Sequence, residues 1–284
     1  MFKKISTSFN LVKVSFRYIK RDWELLVYTI LSLLSSLAIL ITFIWVDFFY
    51  LGFFESLSSW TELQQWTYEV ILFVMSFLYY LTFSFITFFY NTAIITSVQR
   101  RNNWEDNKLW DGLKDSMKHL KEIFIWSLIN ATVTSILNLL QRKFWENSIV
   151  WSIIVWLIGW MWNILTFFSF PLMVLNWLWP KDAIKESWSL FKKTWWERAI
   201  IHVWVWLLFT LIYLLLVILW VAIIYSWLII TGIIFIVLGL IFIIILSTTC
   251  DVIIKTILLH YVQTWTMPSW LEWETAIIDI AWEK

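Results

Sequence analysis

Six stretches of this chain stay apolar for long enough to cross a bilayer, and no other feature limits its fold as tightly. A helix needs about 20 apolar residues to span the hydrocarbon core. The stretches are Leu25–Phe49, Val70–Val98, Ile123–Leu140, Ile149–Trp177, Ala199–Tyr225 and Trp227–Thr249. Lipid offers no partners to backbone N–H and C=O groups, so each stretch reads as a helix. The longest segment between them has about two dozen residues, which leaves no room for a separate soluble domain. The first stretch does not read as a cleavable signal peptide: it begins late, is too long, and lacks a small-residue cleavage site. The expected fold is all-α, a polytopic membrane protein with six transmembrane helices arranged as three hairpins. Residues 1–284 then form one integral membrane domain, with a six-span bundle over 25–262 and a cytoplasmic tail over 263–284.

Net charge is +1, yet the charges are unevenly placed. Lys3, Lys4, Lys13, Arg17, Lys20 and Arg21 precede the first span. Arg100, Arg101, Lys108, Lys114, Lys118 and Lys121 lie between spans two and three, and Lys181, Lys185, Lys192, Lys193 and Arg198 between four and five. With Lys255 and Lys284, 19 of the 21 basic residues fall on one side, and only Arg142 and Lys143 on the other. Basic loops stay in the cytoplasm, so both termini are expected there, in an inner, cytoplasmic membrane. The even number of spans agrees with that alternation. Cys250, the one cysteine, falls at the cytoplasmic end of the sixth span, where it is expected to be a thiol acting as a small core hydrophobe.

The basic segments repeat. Asp111-Gly-Leu-Lys-Asp-Ser and Asp182-Ala-Ile-Lys-Glu-Ser share acid, aliphatic, lysine and serine positions, and Ile5–Lys13 offers a weaker third copy. Each copy precedes a pair of spans, so the chain reads as three units of amphipathic helix plus hairpin. At the N-terminus (residues 1–24) Phe2, Ile5, Phe9, Val12, Phe16 and Ile19 recur at steps of three and four, one face of a helix. Such a basic amphipathic helix suits the anionic lipids of the cytoplasmic leaflet, and equally the protein's own cytoplasmic helices. Near 107–121 the stripe is Leu109, Leu113, Met117 and Leu120. Near 181–197 it is Ile184, Trp188, Phe191 and Trp195, with Pro180 and Asp182 suited to a helix start.

Twenty-five tryptophans stand against five glycines. Membrane helices use glycine freely, and average proteins contain about 7% of it. Interfacial aromatic belts account for Trp45, Trp145, Trp151 and Trp227 near span ends. They do not account for Trp156 and Trp160 inside a span, or for Trp110, Trp270 and Trp273 in polar segments. Asn102-Asn103-Trp104-Glu105-Asp106 and Pro268-Ser269-Trp270 read as turns lacking their glycine. The reading that removes both anomalies is a bacterial code in which UGA specifies glycine. Glycine is then expected at Trp104, Trp156, Trp160, Trp196, Trp204, Trp206 and Trp270, with Trp188 and Trp195 genuine.

Several runs carry a family resemblance. Asp182–Arg198, Phe9–Tyr28 with Arg21-Asp22-x-Glu24, Phe88-Phe89-Tyr90-Asn91, Asp111-Gly112-Leu113, Asn130–Val133 and Phe167–Pro171 resemble a family of six-span prokaryotic membrane proteins, a domain of unknown function. The family pattern has tryptophan at Trp188 and Trp195 but glycine at Trp196 and near Trp104 and Trp110. The resemblance implies a fold and a location, and no functional residues.

Catalytic constellations are not legible. His119, His202 and His260 stand apart, without the paired spacing of a metal site. No serine sits in a nucleophile turn, and Trp145–Trp151 has neither the spacing nor the lysine of a phosphate loop. The expectation is a protein that is not an enzyme, with no metal, no cofactor and no nucleic-acid partner. Asp251 and Lys255, four apart on one helical face, are a candidate ion pair at the cytoplasmic end of the sixth span; Asp47 and Glu69 border the outer interface. Asn91, Asn130 and Asn163 lie deeper, and with Thr92, Thr132, Thr134, Asn138 and Thr166 they are explained by interhelical hydrogen bonds or by a polar cavity. A structural or assembly component of the membrane is the expected function. The alternative is a small-solute or lipid transporter, favoured if the three asparagines share one cavity.

Overall fold

In the computed structural model, residues 2–46, 62–145, 149–192, 210–215, 217–218, 229–264, 266 and 268 are described. They are helical almost throughout: α1 (Phe2–Arg21), α2 (Glu24–Val46), α3 (Glu62–Asn102), α4 (Leu109–Lys118), α5 (Leu120–Trp145), α6 (Ile149–Leu165), α7 (Ser169–Asn176), α8 (180–192) and α9 (Ile229–Thr264). Among the described residues, five segments are long and apolar enough to cross a membrane: Glu24–Val46, Glu69–Asn102, Leu120–Gln141, Trp151–Asn176 and Ile236–Thr264. The expected fifth span, Ala199–Tyr225, falls largely outside the described residues, where only 210–215 and 217–218 are seen, as helix. Trp196, Trp204, Trp206, Trp270, His202 and Asp47 also fall outside them.

The order of packing follows from composition. α3 is the central shaft and touches α2, α4, α5, α7 and α9; α6 packs on α5, and α9 also meets α2, α1 and α7. Deep in these helices the contacts use hydroxyls and amides. Thr29 meets Thr249 across α2 and α9 at 2.7 Å, and Ser35 meets Tyr90 across α2 and α3 at 3.3 Å. The apolar shafts otherwise turn outward, with Leu34, Ile41, Ile44, Val74, Ile153 and Leu238 exposed as a lipid-facing surface requires.

The fully buried side chains gather instead at the end of the bundle that carries Arg100 and Lys121. Leu11, Tyr18, Leu25, Ile94, Ile95, Ile123, Phe168, Leu172, Ile253 and Ile257 belong to this core. α1 is part of it, and its described side chains pack on α9 and α2. Of the expected stripe, Val12 and Ile19 are buried and Phe16 is exposed, while Leu11, Val14, Ser15 and Tyr18 join the buried face. The physical reason is that Tyr18 donates its hydroxyl to Asn102 and Ser15 bonds back to Leu11, so polar residues count among the packed ones. Phe2, Ile5 and Phe9 lie in the helix, but their side chains are outside the described set.

Other boundaries shift. α9 runs 15 residues past the expected end at Thr249, because Ile253, Ile254, Ile257 and Leu258 keep it apolar and buried. The fourth span is interrupted at residues 166–168, where Phe168 is fully buried and its N–H donates to Ser187 Oγ at 3.1 Å. α4 buries Gly112, Asp115 and Ser116 rather than Met117, which is exposed along with Leu120. A Cβ at Gly112 would lie 2.8 Å from Ser97 Oγ, and closer still to the Tyr28 hydroxyl, so only glycine lets α4 sit this near α2 and α3. α8 begins at Pro180, the first-turn position that suits proline's fixed φ.

Two helix ends use a left-handed residue, and both are tryptophans: Trp104 at φ 64 and Trp177 at φ 55. At the first, Glu105 N–H reaches Arg100 O at 3.0 Å and Trp104 N–H reaches Arg101 O at 3.1 Å. That is the paired capping pattern whose left-handed position is usually glycine.

Candidate functional site

Two polar regions stand out, and they have different characters. The first closes the packed end of the bundle. Asp22, in the turn between α1 and α2, accepts two hydrogen bonds from Arg101 at the end of α3, one from Nε at 2.7 Å. Both side chains are buried. Next to them Arg100 holds Asp115 of α4 through Nη2 at 2.7 Å and Nε at 2.9 Å, and Lys118 joins at 2.6 Å. Burial alone would raise the Asp115 carboxyl; the hydrogen bonds from Lys118 and Arg100 outweigh it and hold that carboxyl below its ordinary range. These ties link α1, α3 and α4 in a fixed register. His119, between α4 and α5, is buried against the Trp177 ring at 4.1 Å. Burial pushes its imidazole below the ordinary value despite Glu122, whose Oε2 lies 4.0 Å from Nδ1. These pairs tie helix ends to one another, and the cluster reads as a clasp.

The second region is a cavity of about 550 Å³ inside the bundle. Asn91 from α3, Asn130 from α5 and Asn163 from α6 all line it, together with Thr166 from the break after α6 and Thr248, Asp251 and Lys255 from α9. Its apolar wall comes from Phe88, Trp126, Trp160, Phe167 and Phe170. Helix geometry explains the common depth. Asn91 is 11 residues before the end of α3 and Asn130 is 10 after the start of α5, about 15 Å in each case at 1.5 Å per residue. Asn91 and Asn130 are half-buried, and Asn163 stands exposed at the rim.

The polar groups of this cavity are partly committed. Asn130 Nδ2 donates to Ser84 Oγ at 3.0 Å, an interhelical bond of the kind expected from sequence. Lys255 Nζ meets Asp251 Oδ2 at 2.6 Å and lies 5.1 Å above the Phe167 ring. Asp251 and Lys255 lie 13 and 9 residues before the end of α9 and form part of the cavity wall, the helix continuing past the expected span end at Thr249. Cys250 beside it is fully buried. Among the described residues no group of three or more His, Cys, Asp or Glu side chains could hold a metal ion.

A bundle of this kind, with five segments able to span a bilayer and lipid-facing apolar shafts, defines a multi-pass α-helical membrane protein. The chain matches a family of unknown function, DUF6159, over residues 70–267, and it belongs to that family. A search of curated proteins finds no match to the chain.

The clasp was not legible in the sequence. Its signal was Asp22, an acid directly after the basic run Arg17, Lys20 and Arg21, but its partner lies 79 residues away. The three asparagines were legible, since amides are costly in apolar helices unless something faces them.

Proposed function

We propose that this protein is a non-enzymatic carrier or receptor for a small polar solute, held in the cavity between α3, α5, α6 and α9. The observation that carries the reading is the meeting of Asn91, Asn130 and Asn163 with the Asp251–Lys255 pair around one space. Amides offer both donors and acceptors, and the ion pair sums to zero charge, so a solute with several hydrogen-bonding groups and no net charge matches the lining. Six spans in three hairpins, both termini in the cytoplasm of an inner membrane, and amphipathic helices near its anionic leaflet complete the reading. The 19-to-2 division of basic residues supports that orientation.

A structural or assembly role is the competing reading, and the clasp at Asp22, Arg101, Arg100 and Asp115 supports it by making one end rigid. Thermal unfolding of the purified protein against amino acids, polyols and nucleosides separates the two. A carrier is stabilised by at least one of these solutes, and Asn130→Leu abolishes that gain. For a scaffold no solute raises the midpoint, and Asn130→Leu costs about 1 kcal/mol for its lost bond to Ser84 and nothing else.

A further inference from the structure

The α5 helix carries a polar stripe longer than the cavity needs. Asn130, Thr134, Asn138 and Gln141 follow at steps of four, four and three, which is one helical face. α6 meets this face with Ser152, Gly159 and Asn163. Between the two stripes lies a second cavity of about 360 Å³. Trp160 and Asn163 line both cavities, so the two spaces adjoin at that turn of α6.

Resting on the solute reading above, we propose that this α5–α6 groove is the continuation of the solute site toward the opposite face of the membrane, the two spaces meeting at Asn163. Hydrogen bonding between the stripes does not account for the two α5 amides: Asn130 Nδ2 donates to Ser84 and Asn138 Nδ2 donates to Tyr80 at 2.9 Å, both on α3. Polar groups at membrane depth are tolerated where they line a water-filled or solute-filled space. Among the described side chains, those that line the groove are uncharged. A net-neutral solute could exchange hydrogen bonds from Gln141 down to Asn130.

Cysteine labelling tests the route. In a Cys250→Ala background, Thr134→Cys and Ser152→Cys are compared with Ile153→Cys and Leu157→Cys, whose side chains face outward on α6. The probe is trimethylammonium-ethyl methanethiosulfonate, supplied to right-side-out and to inverted vesicles. Thiolate forms only where water reaches, so the two stripe positions should label about tenfold faster than the two outward ones. Equal rates at stripe and outward positions overturn the groove. If Asn130→Cys labels from the other side while Thr134→Cys and Ser152→Cys do not, the cavity stands and its continuation fails.

Discussion

A tryptophan in the left-handed region is an expensive choice, and Trp104 and Trp177 are both placed there. Left-handed backbone costs a residue with a Cβ roughly 1–2 kcal/mol, and glycine almost nothing. Both rings are exposed, at 61% and 60%, so little burial offsets that cost. Trp104→Gly should therefore stabilise the protein by about 1 kcal/mol, seen as a higher thermal midpoint, and Trp177→Gly by less, because its ring covers His119; Trp126→Ala, deleting a ring only 3% exposed, should cost about 3–5 kcal/mol. A fall in midpoint for Trp104→Gly would remove the argument. The UGA reading puts glycine at Trp104, Trp156 and Trp160, whose rings are all exposed; Trp177 was not among its positions, and its left-handed backbone is the reason to test it with them. Peptide masses of the native protein at positions 104, 156, 160 and 177 decide that reading. Position 104 was legible because its neighbours Asn102, Asn103, Glu105 and Asp106 spell a turn. Position 177 was not, since the apolar run through Val174 and Leu175 hides the end of α7.

At the scale of elements, long apolar helices were easy to read and their registers were not. Length and hydropathy are properties of a segment alone, which is why α2, α3, α5 and α9 were placed correctly in outline. The buried face of α1 depends on what α9 and α3 offer it, and so Ser15 and Tyr18 displaced Phe16. The clasp has the same origin: Asp22 and Arg101 find each other only after α1 has docked. Removing one member of a buried pair strands the other charge, at a cost of about 3–5 kcal/mol. Asp22→Asn or Arg101→Met should thus lower the thermal midpoint sharply, while Asp22→Asn with Arg101→Met together should recover much of the loss. If the double variant is as unstable as the sum of the singles, the pair is not coupled.

For the whole molecule, the even number of spans rests on Ala199–Tyr225, and sidedness rests on the basic residues. Reporters fused after Ser58 and after Asn107 should report opposite compartments, with the Asn107 fusion in the cytoplasm; the same compartment for both would break the hairpin scheme. The bundle also has an internal asymmetry of packing. α3 has 41 residues, about 61 Å of helix, roughly twice the thickness of a hydrocarbon core. One end of the bundle seals Ile94, Ile123 and Ile257, while along the shafts Ile41, Val74 and Leu238 face outward. Bilayer thickness acts on such outward-facing shafts through tilt and mismatch. The cavity takes part of its wall, Ile95, Trp126 and Phe170, from the sealed end, so a change of lipid should move its rim at Asn163 more than that wall.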